Sequence, residues 1–297
     1  MRRLELITGI IISLIILILL SGCTTTNVSN NDTIATTFLP IYEFTRIIAG
    51  NTSTVFSIVP TDAEPHEYDS SPKDLIKVDK SSTFVTLGVG FAAFEDKLIS
   101  SIADNVTIIN ASASVVQIRK DDDESTGLDP HIWISPRNAA IMATNIRDGL
   151  IQKNPHNAAI YSRNAAQLIA DLQNLDSAFA KGLSDCDKNM ILAAHDAYSY
   201  LARDYNFTAY FIDGLSPEQE PTPRQIANLI DIAQQNNIQY ILYEENVDPR
   251  ISNVIASQVS ATPLVIDPYE SSTNDSATYI SVMQENLYNL QQAMGCR

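Results

Sequence analysis

One stretch limits what this chain can become more than any other. From His156 to Leu183, "HNAAIYSRNAAQLIADLQNLDSAFAKGL", 28 residues run without a proline and with almost no strand formers in series. Apolar positions recur along it at helical spacing. At 1.5 Å of rise per residue such a helix is roughly 40 Å long, which exceeds the diameter of a small domain. It must therefore span two compact bodies. Just upstream, Ser135 and Pro136 form a cap followed by a first-turn proline, so a second helical stretch starts there. The pair Asn154-Pro155 is the one breaker between the two.

On both sides of this region strand and helix signals alternate. Before it come the β-branched runs "TIATTF", "STVFSIV", "STFVTLG" and "VTIIN", separated by the helix candidates "PIYEFTRIIAG", "SPKDLIKVDK" and "FAAFEDKLISSIA". After it come "MILAA", "TAYFI", "IQYILY" and "PLVI". Between the second and third of these, Thr222, Pro223 and Gln225 predict a capping box with proline at the first helical position. The last helix candidate, "ATYISVMQENLYNLQQAM", stops at Gly295. Short apolar strands, each followed by a helix or crossover, predict parallel sheets covered on both faces. The expected fold is α/β, with two pseudo-symmetric lobes joined by one long helix. Each lobe is a roughly four-stranded parallel sheet flanked by helices. The expected bounds are 33–155 for the N-terminal lobe, 156–184 for the linking helix and 185–297 for the C-terminal lobe. A length of 297 residues suits two bodies of about 150 each.

The first residues read differently. Arg2 and Arg3 precede the apolar run Ile10–Leu20, and "LSGC" follows. Charge, a short apolar core and small residues favour an export signal over residues 1–22, with an uncleaved N-terminal anchor as the alternative, since the run is shorter than the ~20 residues of a spanning helix. Leu20-Ser21-Gly22-Cys23 resembles a lipobox, which marks Cys23 for lipidation, and 23–32 is then a polar tether. The expected location is outside the cytoplasm, lipid-anchored to the cell membrane. Cys186 and Cys296 remain as an even pair in a compartment that permits disulfides, and a bridge is favoured over two buried thiols. A net charge of −16 argues against nucleic acid, whose phosphates it would repel.

The chain has only four histidines, and two of them sit in near-copies of one frame. "AEPHEY" surrounds His66 and "LDPHIW" surrounds His131. His66 follows the second strand, His131 lies beyond the fourth, and His195 comes directly after "MILAA". Asp267 directly follows "PLVI". All four lie at or beyond carboxyl ends of parallel strands, where open α/β sheets bind ligands. Imidazole nitrogens and a carboxylate oxygen are standard transition-metal donors, and prolines 65 and 130 stiffen the presenting loops. His156, at the start of the long helix, falls outside this pattern.

"VPTDAEPHEYDSSPKDL", "LDPHIWISP", "ILAAHDAYSYLARDYNF" and "VIDP" resemble the metal-site motifs of the zinc/manganese solute-binding lipoproteins of ABC importers. "GLSPEQEPTPRQI" and the positions of Cys186 and Cys296 are similar to that family as well. The resemblance implies His66 and His131 as ligands from the first lobe, and His195 and Asp267 from the second. It implies Zn²⁺ as transported substrate with Mn²⁺ as the alternative, since manganese members often carry a carboxylate where His195 stands. It also implies ABC permease and ATPase partners and a monomeric protein without enzymatic activity. Two features depart from the pattern. Glu64 replaces a common aspartate, and an acidic run, "RKDDDESTG", stands where many zinc-specific members have a histidine-rich loop.

Two other classes compete. An exported zinc hydrolase needs an open coordination position and a general base, for which Glu244 or Glu245 could be named. No HExxH occurs, and four donors would close the shell; the expected role of either glutamate is to orient a ligand or face water. A surface adhesin carrying a structural metal is the remaining alternative. Tyr68, Trp133 and Tyr198 neighbour the histidines and are expected to pack around the site.

Overall fold

The computed structural model describes residues 32–297, except 90, 92, 122–125, 213–221 and 245–249. The export signal, Cys23, the tether up to residue 31, Glu245 and the centre of the acidic run therefore lie outside the described residues.

The first sheet contains β1 (Thr33–Thr36), β2 (Thr54–Ser57), β3 (Thr83–Thr86) and β4 (Thr107–Asn110), all parallel, in the order β2-β1-β3-β4. A small antiparallel hairpin follows, β5 (Arg119–Asp121) and β6 (Thr126–Leu128). The second sheet contains β7 (Met190–Ala193), β8 (Thr208–Phe211), β9 (Tyr240–Tyr243) and β10 (Thr262–Val265), parallel in the order β10-β9-β7-β8. Read from the other edge, this is the same winding as the first sheet. Both reverse direction beside their first strand, so each has a topological switch point at its carboxyl edge.

Helices α1 (Leu39–Ala49), α2 (Pro72–Asp79) and α3 (Ala93–Ser101) connect the strands of the first half. Helix α2 starts at a full capping box between Ser71 and Asp74, with proline at the first position. Helix α4 (Pro136–Lys153) is capped by Ser135, whose side chain accepts the Asn138 N–H. After a short 3₁₀ turn at Pro155–Asn157 comes α5 (Ala158–Gly182), the long helix, whose 25 residues give about 37 Å. It packs on α1 and α4 and also on the final helix α9 (Tyr279–Met294), so it touches elements of both halves. The second half is completed by α6 (Ser199–Tyr205), α7 (Pro223–Gln235) and α8 (Arg250–Val259). The capping box expected at Thr222 and Gln225 is present.

One continuous apolar core runs through both halves, from Ile34 and Phe84 on the first sheet to Ile191, Leu242 and Ile266 on the second. A smaller core lies on the opposite face of the second sheet, beneath α7 and α8. Strand β7 shows how one sequence serves both. Ile191 and Ala193 enter the main core while Leu192 and Ala194 enter the smaller one, the alternation that a pleated strand imposes. The shared core resists a wide opening between the halves.

Cys186 and Cys296 form a disulfide. It joins the segment just before β7 to the residues just after α9. The backbone around it pairs as well, with Lys188 N–H donating to Met294 O and Arg297 N–H to Asp185 O, both at 3.0 Å. Among the described residues no helix is long and apolar enough to cross a membrane.

Candidate metal centre

The acid-Pro-His frames have a local structural purpose. In each, the acid accepts the backbone N–H of the histidine two residues on: Glu64 Oε1 from His66 and Asp129 Oδ1 from His131, both at 3.0 Å. Proline fixes φ between them, so the turn closes one way and presents the ring. A third copy exists that carries no histidine. Asp267 Oδ1 accepts the Tyr269 N–H at 2.6 Å across Pro268. Tyr269 takes a left-handed φ of 57°, and the chain swings so that the next side chain, Glu270, faces the histidines.

His66, His131, His195 and Glu270 converge, with one ligand atom from each lying within 4.8 Å of all the others. His66 Nε2 is 3.2 Å from His131 Nε2. Glu270 Oε1 is 3.4 Å from the former and 3.3 Å from the latter. A tetrahedral ion with metal–nitrogen bonds of about 2.0–2.1 Å sets its ligand atoms about 3.3–3.4 Å apart, so three edges of such a polyhedron are already present.

Asp267 was the expected carboxylate. The converging group contains Glu270, not Asp267. The Asp267 carboxylate closes the turn on Tyr269, and its backbone N–H donates to Asn286 Oδ1 at 2.9 Å. The signal that could have revealed Glu270 was the third acid-Pro frame itself, with an acid one place beyond the position that the other two frames give to histidine.

Each of two imidazoles is held from behind. His131 Nδ1 lies 2.9 Å from Asp129 Oδ1, and His195 Nδ1 lies 3.0 Å from Glu244 Oε1. Carboxylates only accept, so Nδ1 carries the proton in both rings and Nε2 is the donor nitrogen each offers the cluster. Glu244 thus holds the His195 ring in place. Glu244 follows β9 and His195 follows β7, so the pair straddles the switch point of the second sheet. Behind Asp129 stands Lys120 of the hairpin, whose Nζ is 3.9 Å from Asp129 Oδ2 and 2.6 Å from Asp196 Oδ2.

The electrostatics match a site built for a cation. His131 and His195 are almost fully buried, and Glu270 Oε1 is buried within 3.3–3.4 Å of the His131 and His66 Nε2 atoms. Burial lowers the His66 pKa. Burial also acts to lower that of His131, but its bonds to Asp129 and Glu270 outweigh it and raise it. Burial acts to raise the Glu270 pKa, yet the adjacent His66 and His131 rings hold it well below the carboxylate range. Glu64, buried and repelled by Glu270, is pushed up to about 7. Lone pairs aimed at one buried point repel one another unless a proton or a metal ion lies among them.

Aromatic rings close the site. Phe91 lies 4.9 Å from His66 and Trp133 5.4 Å from His131, centroid to centroid. Trp133 and Tyr198 are fully buried, while Tyr68 is only partly so. His156 is far from this role: it is an exposed residue of the 3₁₀ turn.

Comparison with known proteins agrees with this geometry. Residues 34–293 match the family described as ZnuA, zinc-uptake complex component A, periplasmic. The zinc-binding lipoprotein AdcA of Streptococcus pneumoniae is 34% identical over 275 residues, a match covering 87% of this chain and 55% of AdcA. The chain thus spans about half the length of that relative. The high-affinity zinc uptake system protein ZnuA of Bacillus subtilis is 28% identical, covering 88% of this chain and 87% of its own. Among solved structures, the Zn(II)-bound ZnuA-like domain of S. pneumoniae AdcA superposes with a TM-score of 0.79 at 34% identity, over 89% of this chain and 99% of that domain. The laminin-binding protein Lmb of Streptococcus agalactiae, described as having adhesin and metal transporting activity, gives 0.81 at 26% identity, over 89% and 99%. With a site of three histidines and a glutamate set between two like-wound sheets, the chain belongs to the zinc-uptake complex component A family of metal-binding solute-binding proteins, not to a family of enzymes.

Proposed function

We propose that this protein captures Zn²⁺ outside the cytoplasm and delivers it to the permease of an ABC importer, with Mn²⁺ as second choice. His66, His131, His195 and Glu270 are the ligands, and Cys23 carries the lipid that keeps the protein at the membrane. The observation that carries this reading is the spacing of the His66, His131 and Glu270 donors at 3.2–3.4 Å, with His195 completing the group. Three nitrogens and one carboxylate suit tetrahedral zinc, and zinc outranks manganese at nitrogen-containing sites. Names of relatives that specify zinc support the same ion. Four protein donors fill a tetrahedral shell, and Glu244 is engaged with His195, so a hydrolase would have neither an open position nor that base. Adhesion is a second reading, supported by the likeness to laminin-binding proteins of streptococci.

Native mass spectrometry of the chain from residue 28 onward, with Zn²⁺ and Mn²⁺ in competition, tests the proposal. One zinc ion per chain is expected. In the same assay Glu270→Gln should lower zinc affinity well beyond tenfold, whereas Asp267→Asn should have the smaller effect of a turn residue. The reverse order would restore Asp267 as the ligand.

Affinity should also depend on pH in a defined direction. Metal and protons compete for the imidazole nitrogens, so binding weakens as pH falls. His131, raised above the ordinary histidine value of 6.5, takes up a proton first; His66, lowered by burial, resists longer. Zinc affinity should therefore begin to decline above pH 6.5 and steepen below it, by about tenfold per pH unit for each proton displaced. Calorimetric titration from pH 8 to pH 5 measures this. Affinity unchanged across that range would contradict the histidine site.

A further inference from the structure

The segment after the last strand of the second half is anchored to the first. Ile266 N–H still donates to Tyr243 O at 2.9 Å, and Asn286 Nδ2 donates to Asp267 O at 2.6 Å, both within the second half. From the next residue the partners change. Pro268 O accepts from Trp133 Nε1 at 2.7 Å. Tyr269 donates its hydroxyl to Glu43 on α1. Ser272 N–H donates to Thr61 O at 2.6 Å. Tyr279, where α9 begins, donates its backbone N–H to the Glu43 carboxylate at 3.2 Å and its hydroxyl to Trp133 O at 2.6 Å. Glu270 lies within this strap, one residue past Tyr269.

Glu43 is a buried carboxylate whose acceptors are spent on Tyr269 and on the amino end of α9. Tyr269 has a left-handed backbone that residues with side chains seldom adopt, so its conformation needs holding from both sides. Asp267 holds its N–H and Glu43 holds its hydroxyl. The side chain of Glu270 is aimed by that one backbone conformation.

We propose that Glu43 and Tyr269 are positioning residues for the metal site, fixing the Glu270 strap to the first half. The site then divides three to one: Glu270 stays with His66 and His131, and His195, held by Glu244, is the one donor that belongs to the second half. A relative shift of the halves separates His195 from the other three rather than splitting the site into equal pairs. This inference rests on the four-donor zinc reading above.

The test is a set of zinc affinities measured by chelator competition on the folded chain from residue 28 onward. Tyr269→Phe, which removes only the hydroxyl, should weaken zinc binding about 10–100-fold, the usual size for loss of a partner that orients a ligand. In a Glu270→Gln background the same substitution should add less than about twofold, because the residue it positions no longer binds as a carboxylate. In a His195→Ala background its full effect should persist. Glu43→Gln should follow the same pattern, so the result does not depend on one variant. An equal loss in all three backgrounds would assign Tyr269 a general structural role and overturn the proposal, as would an unchanged affinity for Tyr269→Phe alone. If Glu270→Gln itself binds zinc like the wild type, the four-donor reading falls and the inference falls with it.

Discussion

Replacing His131 with alanine is expected to lower zinc affinity by well over 100-fold, while replacing His156 leaves it unchanged. His131 has no exposed surface, and its Nε2 is 3.2 Å from His66 Nε2 and 3.3 Å from Glu270 Oε1. Loss of a mere orienting partner weakens metal sites by about 10–100-fold, so loss of a ligand at the centre of the cluster must exceed that. The substitution also leaves Asp129 buried without the ring it holds, although Lys120 stands 3.9 Å away. His156 serves as the control, being exposed and far along the chain from any donor. Chelator competition at neutral pH measures both, with circular dichroism confirming that the His131 variant is folded. A loss below tenfold for His131→Ala would remove this residue from the site and undo the reading built on it.

Removing the disulfide should produce the largest change in stability. In the chain-entropy description, a bridge closing a separation of 110 residues contributes about 4–5 kcal/mol through its effect on the unfolded chain. Whole domains are stable by only about 5–15 kcal/mol, so this is a large share. The Cys186→Ser, Cys296→Ser double variant should melt about 10–15 °C below the parent, at roughly 2–4 °C per kcal/mol for a chain of this size. Zinc affinity should barely change. The bridge precedes β7, whereas His195 follows that strand at its other end, so the two features are separated by the length of the sheet. Thermal unfolding of both proteins, each free of zinc, measures the difference. A shift below about 3 °C would mean that the bridge does not restrain the unfolded chain as supposed, with the backbone pairs beside it holding the end of the fold instead.

Much of the architecture could be read from local chemistry. The eight strands of the two parallel sheets were legible because each is a short apolar or β-branched run bounded by turn residues. The caps at Ser135 and Thr222 were legible because a hydroxyl followed by proline has one good use at a helix start. The hairpin β5–β6 was not legible: "RKD" and "TGL" carry no alternation of apolar and polar residues, so no periodicity betrays them. Its Lys120 nevertheless reaches Asp196 and the carboxylate behind His131, a link spanning 76 positions of sequence.

The three histidines and their two acid-Pro frames could be recognised from the chain alone, because proline, an accepting carboxylate and a strand end each act within a few residues. The carboxylate that stands among them could not. Asp267 and Glu270 both follow β10 within five residues, and both are acids. Which of them faces the cluster depends on a left-handed turn at Tyr269 and on bonds to Glu43, Trp133 and Thr61, residues more than 130 positions away. Local rules say what a segment prefers; contacts between distant segments decide which of two acids three positions apart stands among the histidines. That choice belongs to the folded molecule, since burying a carboxylate beside two imidazoles is favourable only once the whole cluster exists.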